Sequence, residues 1–420
     1  MSSDVAELER PTDSLPDGWR SFRLGDVADI SRGTSWGSDN ERRDPVDGAL
    51  PVLGIRNVQA RLEIDDLLWL HGLKPSAIAS STVQTGDILM VGSNGNPARI
   101  GNAVQVDEPG RYLYASLLFG LRPRREAVDP DFLYFAVVAP GVQTAISDAV
   151  QGTTGLSNLK ITTLRDLPID LPPLDEQRRI AEVLRSVDEA IAAADAVASS
   201  LLRASKTMRH DLLNVAPDGT VIDLPPDWTV LPLEALASVE RGKFSIRPRN
   251  DPRYFGGSTP FIQTGDITAA GDYITRHTQT LNDLGVGVSR VFAAGTIMTT
   301  IAANIGDFAI AAYPVACPDS VVGIEANPDV NPFWLYSVLT CFKAALDRAA
   351  TQNAQKNINL QTLRPLQIPV PPPSVMIELA ETLAAAADVA MQAKASVANL
   401  TATKQALMSD LLSGRVRVPA

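Results

Sequence analysis

The chain repeats itself, and that constrains its fold more than any other feature. LPDGW at Leu15–Trp19 returns as LPPDW at Leu224–Trp228, an offset of 228 − 19 = 209. The same offset lays RLGDVADISRG (23–33) on PLEALASVERG (232–242), PVLGIRNV (51–58) on PFIQTGDI (260–267), and GDIL (86–89) on GTIM (295–298). After a four-residue deletion Ile100-Gly101 falls on Ile305-Gly306, and Gln151 and Asn158-Leu159 then fall on Gln352 and Asn359-Leu360. LPIDLPP (167–173) matches LQIPVPP (366–372) at an offset of 199, and that frame runs without a gap to HDLL (210–213) against SDLL (409–412). Self-similarity of this length means two copies of one folding unit. Each copy reads as a mixed domain, a proline stop and a long helix.

Inside the domains, short β-rich runs such as TGDILMV and AGTIMTT are separated by Gly, Asn and Pro turns. DPDFLYFAVVA and VNPFWLYSVLTCFKAAL carry helical patterns. Past the prolines, apolar or small residues recur at Ile180, Leu184, Val187, Ile191, Ala194, Ala198, Leu201, Met208 and Leu212. The second copy places Leu379, Leu383, Ala386, Ala390, Ala393, Val397, Leu400, Leu407 and Leu411 at the same positions. A 4-3-4-3 spacing is the seam of a coiled coil, and alanine at its middle lets two backbones approach closely. Two such helices with a domain between them predict an antiparallel pair, each helix about 60 Å long at 1.5 Å per residue. The expected fold class is therefore α+β: two similar mixed domains joined by two long helices in an antiparallel coiled coil. The boundaries read as a first domain over 1–172, a first helix over 173–216, a second domain over 217–372, and a second helix with a tail over 373–420.

Composition narrows the class. Apolar content of 45% with 20% charged residues describes an ordinary globular chain. MSSDVAELERPTDS has neither a basic start nor an apolar core, so it does not read as a secretory signal. The most apolar stretch, 291–316, is broken by Asn304, Gly306, Asp307 and Pro314, which argues against a membrane span. Two cysteines, Cys317 and Cys341, fit a reducing cytoplasm, and with three histidines they make a structural zinc site improbable. A net charge of −11 runs against nucleic-acid binding taken globally, but charge acts locally. Arg241, Lys243, Arg247, Arg249 and Arg253 crowd one thirteen-residue stretch with only Glu240 and Asp251 near them. Taken alone, a run of that kind reads better as a solvated loop.

No catalytic constellation emerges. A base methyltransferase needs a glycine-rich cofactor loop and an Asn/Asp-Pro-Pro-aromatic tetrapeptide for the flipped base. The nearest strings, Asn331-Pro-Phe-Trp334 and Asp129-Pro-Asp-Phe132, lack the second proline, occupy equivalent places in the repeat, and read as helix starts with proline in the first turn. Gly242-Lys243 has no glycine at the spacing a phosphate loop requires. Ser157–Lys160 matches Ser-x-x-Lys without its companion motifs. His71, His210 and His277 have no informative Cys or Ser partner, and His210 reads as a surface position on the long helix.

These motifs together resemble the specificity subunits of type I restriction-modification enzymes. LPDGW with RLGDVADISRG, TGDILMVGSNGNPARIG, and above all QGTTGLSNLKITTLRDLPIDLPPLDEQRRIAEVLRSVDEAI (151–191) carry the resemblance, which covers the chain from about Leu15 to Val418. The second copy departs from it: LDEQRRIAEVL becomes PSVMIELAETL and GTTGLSNL becomes NAQKNINL. The resemblance implies a non-catalytic subunit whose two domains each read one half of a bipartite, asymmetric double-stranded DNA site. It implies a helical spacer on which two adenine methyltransferase (modification) subunits dock, supplying S-adenosylmethionine. Restriction subunits, where a system has them, add ATP and Mg. Asp175, Glu176, Gln177 and Arg178, which open the first helix, are the implied docking residues.

A fixed scaffold changes its target through its loops, so the most diverged loops are the expected readers. They are 35–43, 93–99 and 152–158 in the first copy, and 243–253, 300–304 and 353–357 in the second. Arg, Asn and Gln can grip guanine or adenine edges bidentately. The candidates are Arg42, Arg43, Asn94, Asn96, Arg99, Thr153, Thr154 and Asn158 in one copy. In the other they are Lys243, Arg247, Arg249, Arg253, Asn304, Asn353, Gln355 and Lys356. Two competing functions remain at this point: a coiled-coil scaffold whose domains bind proteins, and a fused restriction-modification polypeptide, which the missing cofactor motifs oppose.

Overall fold

A computed structural model describes residues 15–107, 110–153, 156–246, 248–350 and 357–418, without the side chains of 152 and 153. The chain divides into two compact units, Met1–Ala192 with Asn399–Ala420, and Ala193–Ala398. The units therefore do not coincide with the four sequence segments, because each takes one half of each long helix.

Both units are built on the same antiparallel sheet. In unit 1 its order is Ala28–Arg32, Leu118–Pro123, Ile88–Val91, Ala103–Gln105. In unit 2 it is Ala237–Arg241, Val321–Ala326, Ile297–Thr300, Phe308–Ala311, with Tyr273–Ile274 added at the edge in parallel. A two-stranded ribbon follows the proline motifs in each: Arg20–Arg23 with Pro168–Leu171, and Thr229–Pro232 with Gln367–Val370. A second sheet in each unit holds one parallel pair, Leu50–Leu53 beside Leu113–Tyr114 in unit 1 and Phe255–Phe261 beside Val315–Cys317 in unit 2.

The strings that lack the second proline are helix starts. Asp129 and Asn331 are N-caps whose Oδ1 atoms accept two backbone N–H groups each, with proline following in the first turn. The helices they open, Pro130–Val138 and Pro332–Cys341, pack on the central sheets through Phe132 and Trp334, both fully buried. Among the described residues no single helix is long and apolar enough to cross a membrane.

The long helices span Leu174–Leu213 and Pro373–Leu412, forty residues each. Every seam residue predicted above is buried or half-buried. In unit 1 the start of the first helix (Ile180, Leu184) shares a core with the end of the second (Met408, Leu411), and Lys404 pairs with Asp188 at 2.6 Å. In unit 2 the end of the first helix (Leu213) meets the start of the second (Met376, Leu383). Start against end in both units is the antiparallel sense.

Two sequence readings change. Leu159 N donates to Gly92 O at 2.9 Å, and Ile358 N donates to Ile301 O at 3.0 Å. Gly92 and Ile301 differ by 209, so Leu159 corresponds to Ile358 rather than Leu360. The 199 frame already holds there, and the Asn-Leu match was a coincidence two residues out of register. His210 is half-buried rather than a surface residue, because its ring Nδ1 donates to Val215 O at 2.7 Å and closes the helix C-terminus.

The glycine that ends DISRG and SVERG is kept by steric need. A Cβ on Gly33 would lie 2.2 Å from Tyr114 O, and one on Gly242 would lie 2.3 Å from Pro318 O. Both are backbone atoms, so the strand itself must shift. Gly33→Ala and Gly242→Ala are each expected to cost about 1–3 kcal/mol. Urea unfolding checks this, and midpoints unchanged from wild type would exclude it.

Candidate nucleic-acid interface

In unit 1 the sheet Gln151–Thr153, Leu156–Asn158, Ser93–Asn94 joins two diverged loops that lie some sixty residues apart in sequence. Ser157 pairs with Asn94 and Asn158 with Ser93. The Ser93 hydroxyl donates to Asn158 Oδ1. Unit 2 repeats the junction more sparsely, by a bridge between Ala302 and Asn357. Two of the three loops chosen for divergence in each copy thus meet at one edge.

Many of the candidate side chains have local duties. Asn94 Oδ1 accepts from Asn96 N at 2.8 Å, and Asn96 Oδ1 accepts from Ala98 N at 3.1 Å, so both build the turn. Arg99 is half-buried and donates to Val58 O at 3.2 Å. Arg42 Nη1 donates to the carbonyls of Asp39 and Glu41, at 2.8 and 2.7 Å, while Arg43 is exposed. The structure brings Asn94, Asn96 and Asn158 together, but Arg42 and Arg43 lie by the other sheet, beside Leu68–Leu70.

In unit 2 Arg249 Nη2 donates to Asp319 Oδ1 at 2.9 Å. Arg253 grips Asp251 bidentately, 3.1 Å from Nε to Oδ1 and 2.6 Å from Nη2 to Oδ2, holding that carboxyl below its usual range. Lys243 is exposed beside the strand end. Asn304 Nδ2 donates to Thr268 Oγ1 at 3.2 Å, which places the helix Thr264–Ala269 beside the 300–304 loop. Thr154, Arg247, Asn353, Gln355 and Lys356, and the side chain of Thr153, lie outside the described residues. The sequence reading passed over the polar surface at that helix start, where Gln263 Nε2 donates to Gln279 Oε1 at 2.6 Å. Its counterparts at the 209 offset are Gly54 and Leu70, so the repeat carries no signal for it.

The implied docking residues divide. Asp175 and Arg178 are exposed and pair with each other at 3.1 Å. Glu176 and Gln177 are only 4% and 1% exposed. Glu176 is held by Arg417 from the chain's last residues, at 2.6 Å (Nε) and 2.8 Å (Nη2). Gln177 accepts from Asp129 N at 2.9 Å and donates to Pro172 O at 2.9 Å, seating the helix Pro130–Val138 on the long helix. Burial corrects the expectation for these two: they are spent inside unit 1 and present no surface to a partner. The counterpart of Gln177 in the second copy is Met376, whose Sδ accepts from Asn331 N at 3.4 Å. The lost signature residue thus keeps its structural place with a weaker acceptor.

Among the described residues the site offers donors and acceptors but no reactive group. Burial pushes the Cys317 thiol up to about 12 and the Cys341 thiol up to about 11. Among the described residues no cluster of His, Cys, Asp or Glu could hold a metal ion.

The comparisons with known proteins agree with this geometry. A Methanocaldococcus jannaschii chain assigned as the specificity subunit of the type I restriction enzyme MjaX is 24% identical over 416 residues, 96% of this chain and 95% of that one. The EcoBI specificity subunit of Escherichia coli is 24% identical over 388 residues, 85% of this chain and 77% of its own. Among solved structures, a chain from work on assembly and conformational transition of the type I R-M system superposes with a TM-score of 0.58 at 19% identity, covering 96% of this chain and 99% of that one. The type I restriction-modification S subunit from M. genitalium gives 0.55 at 14%, covering 96% and 98%, and both show the same fold. The type I restriction modification DNA specificity domain matches twice, over residues 16–196 and 225–386. With both copies of the repeat matched, the chain belongs to the family of type I restriction-modification DNA specificity subunits.

Proposed function

We propose that this chain reads a bipartite, asymmetric double-stranded DNA site, one half with each unit, and carries two adenine methyltransferase subunits to it. The observation that carries the reading is the repeated junction: one framework in both units joins two of its most diverged loops at one edge. A symmetric dimer reads a palindrome because its halves are identical. A duplicated chain with diverged loops suits two different half-sites. S-adenosylmethionine, and ATP with Mg where restriction subunits take part, belong to the partners in this reading, and the cytoplasm is the expected compartment.

Exchange of the 243–253 loop tests it. Methylation mapping in cells that also express the modification subunits is expected to show one altered half-site, with the other unchanged. Loss of a single base-reading side chain is expected to cost about 1–3 kcal/mol at its own position, whereas loss of a phosphate contact weakens all sequences alike. If both half-sites change together, or neither does, the assignment of one unit to one half-site fails.

A further inference from the structure

An arginine stands at the same place in both copies, Arg32 and Arg241, although the loops around it have diverged. Each ends the first strand of its central sheet, Ala28–Arg32 or Ala237–Arg241. Arg32 Nη1 donates to Ser116 O at 3.1 Å, and Arg241 Nε donates to Asp319 O. The two carbonyls are equivalent: Leu118 O accepts from Gly33 N as Val321 O accepts from Gly242 N, an offset of 203, and 116 + 203 = 319. The same brace is thus formed twice by one residue type.

The far end of each brace adjoins a reading loop. In unit 1 Arg32 Nη2 also reaches Leu159 O at 3.4 Å, one residue past Asn158, while its guanidinium lies 4.6 Å from the centre of the Phe119 ring. Leu117 O, next to the braced carbonyl, accepts from Gly92 N at 2.9 Å and Ser93 N at 3.2 Å. In unit 2 the residue braced through its backbone, Asp319, is the one whose carboxylate holds Arg249. Ser320 O, its neighbour, accepts from Ile301 N at 3.1 Å, at the start of the 300–304 loop. A residue identical in both copies cannot distinguish two different half-sites. What both half-sites need alike is a fixed stance for the loops that do.

We propose that Arg32 and Arg241 are positioning residues, each setting the stance of its own unit's recognition loops through backbone carbonyls that adjoin those loops. The assignment rests on the DNA-reading function proposed above. Arginine suits the task because its planar fork spans two acceptors, while lysine offers a point charge.

The test is methylation mapping of cells expressing the full complex with Arg32→Lys or Arg241→Lys, alongside wild type. Discrimination is expected to fall about tenfold at one or two base positions, in the first unit's half-site for Arg32→Lys and in the other half-site for Arg241→Lys. Competition binding with substituted half-sites, at a temperature where both variants are folded, reads the same quantity if methylation is weak. An unchanged motif with uniformly reduced methylation marks a merely structural residue and overturns the proposal. So does an unchanged motif with a shallower salt dependence, which marks a phosphate contact. A wild-type complex that methylates no bipartite motif overturns the functional reading itself. A wild-type motif that survives both variants intact overturns only the positioning role.

Discussion

Arg417→Ala is expected to lower the unfolding temperature of unit 1 measurably. The substitution leaves Glu176, 4% exposed, without the guanidinium that holds both its oxygens. Breaking a fully buried ion pair by removing one partner costs about 3–5 kcal/mol. The Arg417 side chain is 43% exposed, so water partly replaces and screens it, and the loss is smaller than for a fully buried pair. Arg417→Ala combined with Glu176→Gln is expected to recover much of the loss, because a neutral amide leaves no buried charge. Differential scanning calorimetry of the three variants checks both statements, and a single variant within about 1 °C of wild type would refute the first. The sequence left Glu176 and Gln177 either to cap the helix or, by the family resemblance, to meet a methyltransferase. Their burial reverses the order of effects, so that stability falls first and assembly follows it.

Four residues inserted into each long helix, near Ala193 in the first and Asn399 in the second, are expected to widen the unread gap between half-sites by one or two base pairs. One helical turn adds about 5.4 Å, and a base pair occupies about 3.4 Å along each strand. The helices are the elements by which each unit continues into the other, and their seam is apolar or small throughout. Four residues turn the seam by only about 40° beyond a full circle, so packing is expected to survive at reduced stability. Methylation mapping reads the gap directly. Activity retained with the original gap would remove the spacing role from the helices.

Much of this was legible in the residues themselves. The duplication and the proline stops set the number of units. The 4-3-4-3 spacing placed both helices and named a seam that is buried or half-buried at every predicted position. Periodicity reports burial because a helix face repeats every 3.6 residues whatever it packs against. Asp129 and Asn331 were legible too, since a cap and a proline act within one turn. What no local pattern carries is which distant carbonyl or carboxylate a side chain will find. The partner of Glu176 lies 241 residues away, and Arg32 spans 84 residues to Ser116 and 127 to Leu159. Such contacts exist only after the sheets have formed and brought their loops to one edge. The repeat determined that there are two alike units and one antiparallel helix pair. Tertiary structure alone decided that Glu176 and Gln177 are buried in unit 1, and that an arginine kept in both copies reaches backbone carbonyls beside the loops that differ.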